Sequence, residues 1–182
     1  MIDELGFDEF GRPCKDLYLM NLCFDIRLRS IDPSTKCGCV AANKDGGILS
    51  TGYNNPPRNC DDSKVLLMGR PEKYFLYEHS ERNCIYNAAE NGVSLKNSVF
   101  IITGFPCYDC LRGIIQVGAS KIIYGPNQAK MTAGDDYFKY YPILMEGQSL
   151  KIEKFKYLKG LYKLKPELEE CYRGKPDINL EF

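Results

Sequence analysis

Two short segments hold side chains whose types and spacing suit metal chemistry. They are His79-Ser80-Glu81 and Pro106-Cys107-Tyr108-Asp109-Cys110, the second starting 25 residues after Glu81. Cysteines three apart in a first helical turn point the same way, because such positions are neighbours on a helix surface. The positive end of the helix dipole lowers thiol pKa there and favours ligation. Proline suits that helix start, where its missing N–H is not needed. His79, the only histidine of the chain, would supply a third ligand from the start of the preceding helix. Two thiolates and a neutral imidazole cancel the double charge of zinc and leave a fourth position for water, the arrangement of a catalytic site. Water at such a position ionises near neutral pH. On a helix Glu81 diverges from His79 by ~200°, which argues against a co-ligand. With His79 at or just before the helix start, Glu81 can instead face that water and move its proton as a general acid and base.

Each piece alone has an ordinary explanation. A lone histidine is usually packed or solvated, and a lone Cys-x-x-Cys can be a redox pair. A thioredoxin-like reading fails on the unexplained His-x-Glu and on the absence of tryptophan. Together, with a strand expected before the Pro-Cys, the two segments form the signature His-x-Glu…Pro-Cys-x-x-Cys of zinc deaminases.

The elements that must position these groups read as follows. Leu17, Met20, Phe24, Leu28 and Ile31 recur at helical spacing, so residues 14–31 are expected as a helix stopped by Asp32-Pro33. Residues 37–42 and 48–53 read as strands joined by a turn containing Asp45-Gly46. Residues 54–71 form a long loop with Pro56-Pro57, and such loops usually have a use. A helix follows His79 and closes at Asn91-Gly92. Then come a strand at 98–103, a helix at 106–118, a strand at 121–124, an aromatic-rich helix at 135–145 and a strand at 150–157. Residues 1–13 read as an arm and 158–182 as a loosely placed Lys/Glu-rich extension. Alternating helices and short apolar strands of this kind indicate one α/β layered domain over 1–182, its core about 14–157.

Composition narrows the function classes. The 182 residues are 44% apolar and 26% charged, ordinary for a globular chain. Lys+Arg and Asp+Glu are both 24, and zero net charge argues against bulk nucleic-acid binding. No apolar run approaches the ~18 residues of a membrane helix. The start MIDELGFDEF is acidic, unlike a secretory signal, so a cytoplasmic protein is expected. Nine cysteines, an odd number, read as reduced thiols with one or two working positions.

The chain resembles the zinc-dependent cytidine/deoxycytidylate deaminase superfamily, and within it the deoxycytidylate (dCMP) deaminases. The resemblance is carried by RSIDPSTKCGCV (29–40), GYNNPP (52–57), EHSERNCIYNAA (78–89) and FPCYDCLRGIIQVGASKIIYG (105–125). It implies a three-layer α/β/α sandwich with a mixed sheet of about five strands. It also implies zinc on His79, Cys107 and Cys110, Glu81 as the catalytic acid and base, and hydrolysis of dCMP to dUMP and ammonia. By the family pattern Asn54 and Arg29 bind sugar or base and phosphate, main-chain N–H groups near Ser80 and Cys107 hold the pyrimidine, and Tyr124 touches substrate. An amide that gives and receives hydrogen bonds suits a sugar hydroxyl beside a base edge, and a guanidinium fork suits phosphate. Relatives form homohexamers or dimers, and some respond to dCTP and dTTP. Ser80 stands where the family usually has alanine, GYNN where GYNG is common, and the poorly matching 58–77 loop is where relatives build the effector site. The competing readings are a deaminase of cytidine, of a modified pyrimidine nucleotide or of tRNA adenosine, or a non-catalytic zinc-containing nucleotide-binding protein.

Overall fold

Helix α1 (Lys15–Ile26) buries Leu17, Met20, Cys23 and Phe24, one stripe of its apolar periodicity. In the computed structural model, which describes residues 1–66, 71–127 and 138–172, that stripe lies on a five-stranded sheet. The strands β1 (Gly38–Ala42), β2 (Ile48–Tyr53), β3 (Val99–Ile102), β4 (Lys121–Tyr124) and β5 (Lys151–Lys154) are ordered β2-β1-β3-β4-β5. β1 pairs antiparallel with both β2 and β3, whereas β3, β4 and β5 run parallel, so the sheet is mixed. The β1–β2 turn is built as expected: Asn43 Oδ1 accepts from the N–H groups of Asp45 at 2.9 Å and Gly47 at 2.8 Å.

Every residue of β1 is buried, which requires cover on both faces. Strand alternation sends Val40 and Ala42, with Ile101 and Ile123, toward α1. Cys39 and Ala41, with Phe100, Ile102 and Ile122, face the opposite layer. That layer holds α4 (Ser80–Glu90) and α5 (Tyr108–Gln116), through Cys84, Ala88, Leu111 and Ile114. The result is the expected α/β/α sandwich. Gly52 of β2 lets α4 lie directly on the sheet, for a Cβ there would stand 2.2 Å from Ser80 O and 2.4 Å from Cys84 N.

Several boundaries differ from expectation. The first helix stops at Ile26, and Arg27–Arg29 tighten into a 3-10 turn that leaves Leu28 65% exposed. The apolar spacing runs on to Ile31, but β1 passes so close beneath the last helical turn that a Cβ on Gly38 would meet Cys23 O at 2.1 Å. The chain must leave the helix there to enter the sheet, and a 3-10 turn is the usual exit. Within the 54–71 loop lies a short helix, α2 (Asp62–Leu66), started by Asp61 Oδ1 accepting from Ser63 N–H at 3.1 Å. Another, α3 (Lys73–Leu76), follows the loop. Of the helix expected at 135–145, residues 135–137 lie outside the described residues, and α6 spans Tyr141–Met145.

The arm and the described part of the extension, 158–172, pack into the fold. Helices α7 (Leu158–Leu164) and α8 (Pro166–Tyr172) bury Leu161 and Leu168 beside Phe7 of the arm, completing the layer that α1 begins. Among the described residues no helix is long and apolar enough to cross a membrane.

Candidate metal centre and active site

The two long helices of the second layer each begin on a potential ligand. His79 is the N-cap of α4, with φ −75° and ψ 158°, and Cys107 is the N-cap of α5, with φ −72° and ψ 169°. Extended backbone at both caps turns the His79 and Cys107 side chains away from the helical path, while Cys110 is held in the first turn of α5. Cys107 therefore lies just outside the helix expected to contain it, and Pro106 precedes the cap. The segment before His79 is tied to the end of β2 by paired main-chain bonds, Asn55 N to Glu78 O at 3.1 Å and Glu78 N to Asn55 O at 3.0 Å. Behind Cys107, the buried Tyr141 hydroxyl donates to Pro106 O at 2.5 Å.

His79 Nδ1 lies 3.2 Å from Cys107 Sγ and 3.5 Å from Cys110 Sγ, and all three ligand atoms fall within 4.8 Å of one another. Tetrahedral zinc, with Zn–S ~2.3 Å and Zn–N ~2.0 Å, places sulfur and nitrogen ligands ~3.5 Å apart, so the trio fits the ion. Two sulfurs and an imidazole also match its softness.

The electrostatics are those of ligands waiting for a cation. Hydrogen bonding from the Cys110 thiol, helped by His79, lowers the Cys107 pKa to about 4. The Cys107 thiolate in turn raises the His79 pKa to about 9 and pushes Cys110 well above the ordinary thiol value. Glu81 is buried at the second position of α4, and burial raises its pKa against the pull of the His79 charge. Its Oε2 accepts the Ser80 hydroxyl at 2.7 Å.

The remaining expected site residues occupy different surroundings. Asn54, just past β2, is buried: its Oδ1 accepts Cys37 N–H at 2.6 Å, and its Nδ2 donates to Thr35 O at 2.9 Å and Asp32 Oδ2 at 3.3 Å. Both amide hydrogens are thus engaged within the chain, and Oδ1 accepts one bond there as well. Arg29 is exposed at the end of the 3-10 turn. Tyr124 ends β4 in the core, and its ring meets Phe105 edge-on at 5.0 Å between centroids.

A sequence model of the family described as "Cytidine and deoxycytidylate deaminase zinc-binding region" matches residues 13–126, more than half of the chain. The chain belongs to this family. It is similar to a probable deoxycytidylate deaminase of Drosophila melanogaster, 35% identical over 119 residues that cover 60% of this chain and 58% of that protein. The deoxycytidylate deaminase of Mus musculus is 32% identical over 112 residues, covering 59% and 62%. The chain thus spans about three-fifths of the length of these curated relatives. Among solved structures it resembles the dCMP deaminase of cyanophage S-TIM5 in complex with dCMP and dUMP, at 25% identity and TM-score 0.57, covering 78% of this chain and 96% of that one.

The structure also reveals supports around this deaminase-family centre that sequence reasoning missed. Asp32 accepts from Ser34 N–H, Ser34 Oγ and Thr35 N–H, and forms an ion pair with Lys73 Nζ at 2.9 Å. Asn127, beyond β4, donates to Lys36 O at 3.1 Å, and Thr103 Oγ1 accepts Gly38 N–H at 3.1 Å. Together with Asn54 these groups fix residues 32–38, where burial pushes the Cys37 thiol up to about 12. In the sequence Asp32-Pro33 is legible as a helix stop; the partners Lys73 and Asn127, 41 and 91 positions from theirs, carry no signal.

Proposed function

We propose that the chain hydrolyses dCMP to dUMP and ammonia, supplying dUMP for thymidylate synthesis. The observation that carries this reading is the convergence of His79, Cys107 and Cys110 at two helix starts beside the buried carboxylate of Glu81, in a chain similar to proteins named deoxycytidylate deaminases. His79, Cys107 and Cys110 would hold zinc, which when bound supplies a Lewis acid that makes water nucleophilic near neutral pH.

The chain's own residues do the rest. Glu81 Oε2 is engaged by Ser80, leaving Oε1 to take a proton from the attacking water and return it to the base, so that the 4-amino group leaves as ammonia. The water oxygen becomes the new carbonyl oxygen of dUMP. Main-chain N–H groups near Ser80 and Cys107 orient the pyrimidine at the positive ends of α4 and α5. Asn54, its donors committed, meets the sugar through the spare lone pair of Oδ1. Arg29 offers a guanidinium fork to the phosphate. Tyr124 supports the Phe105 ring and reaches substrate only through its hydroxyl. The assembly is a cytoplasmic homo-oligomer, a hexamer or dimer, and the unmatched 58–77 loop argues against control by dCTP or dTTP.

The test is ammonia release from dCMP and from deoxycytidine by zinc-loaded protein. Turnover of dCMP that is lost without the phosphate supports the reading; zinc-loaded protein inert toward dCMP refutes it. Glu81→Gln should keep one zinc per chain and lose about 10²–10⁴-fold in kcat.

A further inference from the structure

Glu81 is a flexible side chain in a buried place, and among the described residues its side-chain hydrogen-bond donor is the residue before it. Ser80 is 1% exposed and Glu81 7%, so little bulk solvent reaches the carboxylate. The Ser80 hydroxyl has a single proton, and it is spent on Glu81 Oε2 at 2.7 Å. The main-chain N–H of Glu81 also favours the ionised carboxylate. The main chain of Ser80 is fixed, because the first turn of α4 lies against β2, with Ser80 O 2.2 Å from where a Gly52 Cβ would stand.

We infer that Ser80 is a positioning residue that acts through Glu81, pinning one carboxylate oxygen so that the other is presented for proton transfer. This rests on the assignment of Glu81 as the proton carrier. An alanine at position 80 would supply no donor, leaving Oε2 short of a side-chain partner and the carboxylate free to occupy several rotamers. Partners that orient a group at a metal site typically account for 10–100-fold in activity, so the expected loss is about tenfold in kcat. Substrate binding should be little altered, because the hydroxyl is already committed to Glu81.

The experiment compares Ser80→Ala, Glu81→Gln and the double variant with dCMP, and determines the zinc-free crystal structure of Ser80→Ala. Support is a kcat lowered about tenfold with KM within twofold, no further loss when Ser80→Ala is added to Glu81→Gln, and a Glu81 side chain that leaves its single conformation. A kcat within twofold of the parent overturns the inference. So does a raised KM at unchanged kcat, which would make Ser80 a substrate contact, and so does an unmoved Glu81. If the parent protein is inert toward dCMP, the functional reading fails by itself, and the crystallographic comparison still decides whether Ser80 fixes Glu81.

Discussion

Gly52→Ala tests whether the deaminase-family centre depends on the seating of α4 on β2. The added Cβ would stand 2.2 Å from Ser80 O, 2.4 Å from Cys84 N and 2.9 Å from Cys84 Cα. Ordinary contact begins at 3.4 Å, so the first clash must be relieved by 1.2 Å (3.4 less 2.2). All three atoms are main chain, so no flexible side chain can swing aside; either α4 recedes or β2 buckles. β2 is paired along its length with β1, Gly52 opposite Cys39, which leaves the start of α4 as the part that moves. That start carries His79, Ser80 and Glu81. Overpacking of this kind costs about 1–3 kcal/mol. At about 2–4 °C per kcal/mol for a chain of this size, Tm should fall by about 2–12 °C. Misplacement of catalytic groups by about 1 Å can remove about 10²-fold of the rate, so kcat should drop more steeply than stability alone explains. Differential scanning calorimetry and ammonia release, both on zinc-loaded protein, measure the two effects. A Gly52→Ala protein with parental Tm and kcat would show that β2 and α4 are not locked together as described.

Other predictions concern charge. At pH 7 the metal-free centre carries a protonated His79, pKa about 9, a Cys107 thiolate, pKa about 4, and a Cys110 thiol. Zinc needs a neutral imidazole and two thiolates, so its uptake should release two protons per ion, from His79 and Cys110, and its affinity should fall as pH drops. Calorimetric titration in buffers of different ionisation enthalpy counts those protons, and zero release would contradict the description. Burial raises the Asp32 pKa, but the bonds from Lys73, Ser34 and Thr35 outweigh it, and the net shift is downward. A carboxylate with a depressed folded pKa contributes stability that is present above its ordinary value of 3.8 and lost as pH falls through the folded value. Asp32→Asn should therefore lower Tm at pH 7, by an amount matching about 1–3 kcal/mol, and the gap to the parent should close in acid; an equal gap at all pH values would remove the ion pair from the explanation.

The sequence by itself determined the metal-ligating set and most of the framework. His79, Glu81, Cys107 and Cys110 are legible because a ligand set needs particular atoms at particular intervals, and both segments are local in the chain. The short strands are legible for the same reason, since alternation and turn residues act over a few positions. Tertiary structure decided what depends on distant partners. Nothing near Asp32 announces Lys73, and nothing near Asn54 shows that its amide hydrogens are consumed by Thr35 and Asp32 rather than left for a ligand. The apolar spacing at 14–31 promised a longer helix, but the close passage of β1 under α1 ended it at Ile26. Phe7, Leu161 and Leu168, from the two chain ends that looked peripheral, became core because a sheet buried on both faces needed that cover. Local pattern fixes which atoms are available, whereas their separation in space is set by packing among segments far apart in sequence.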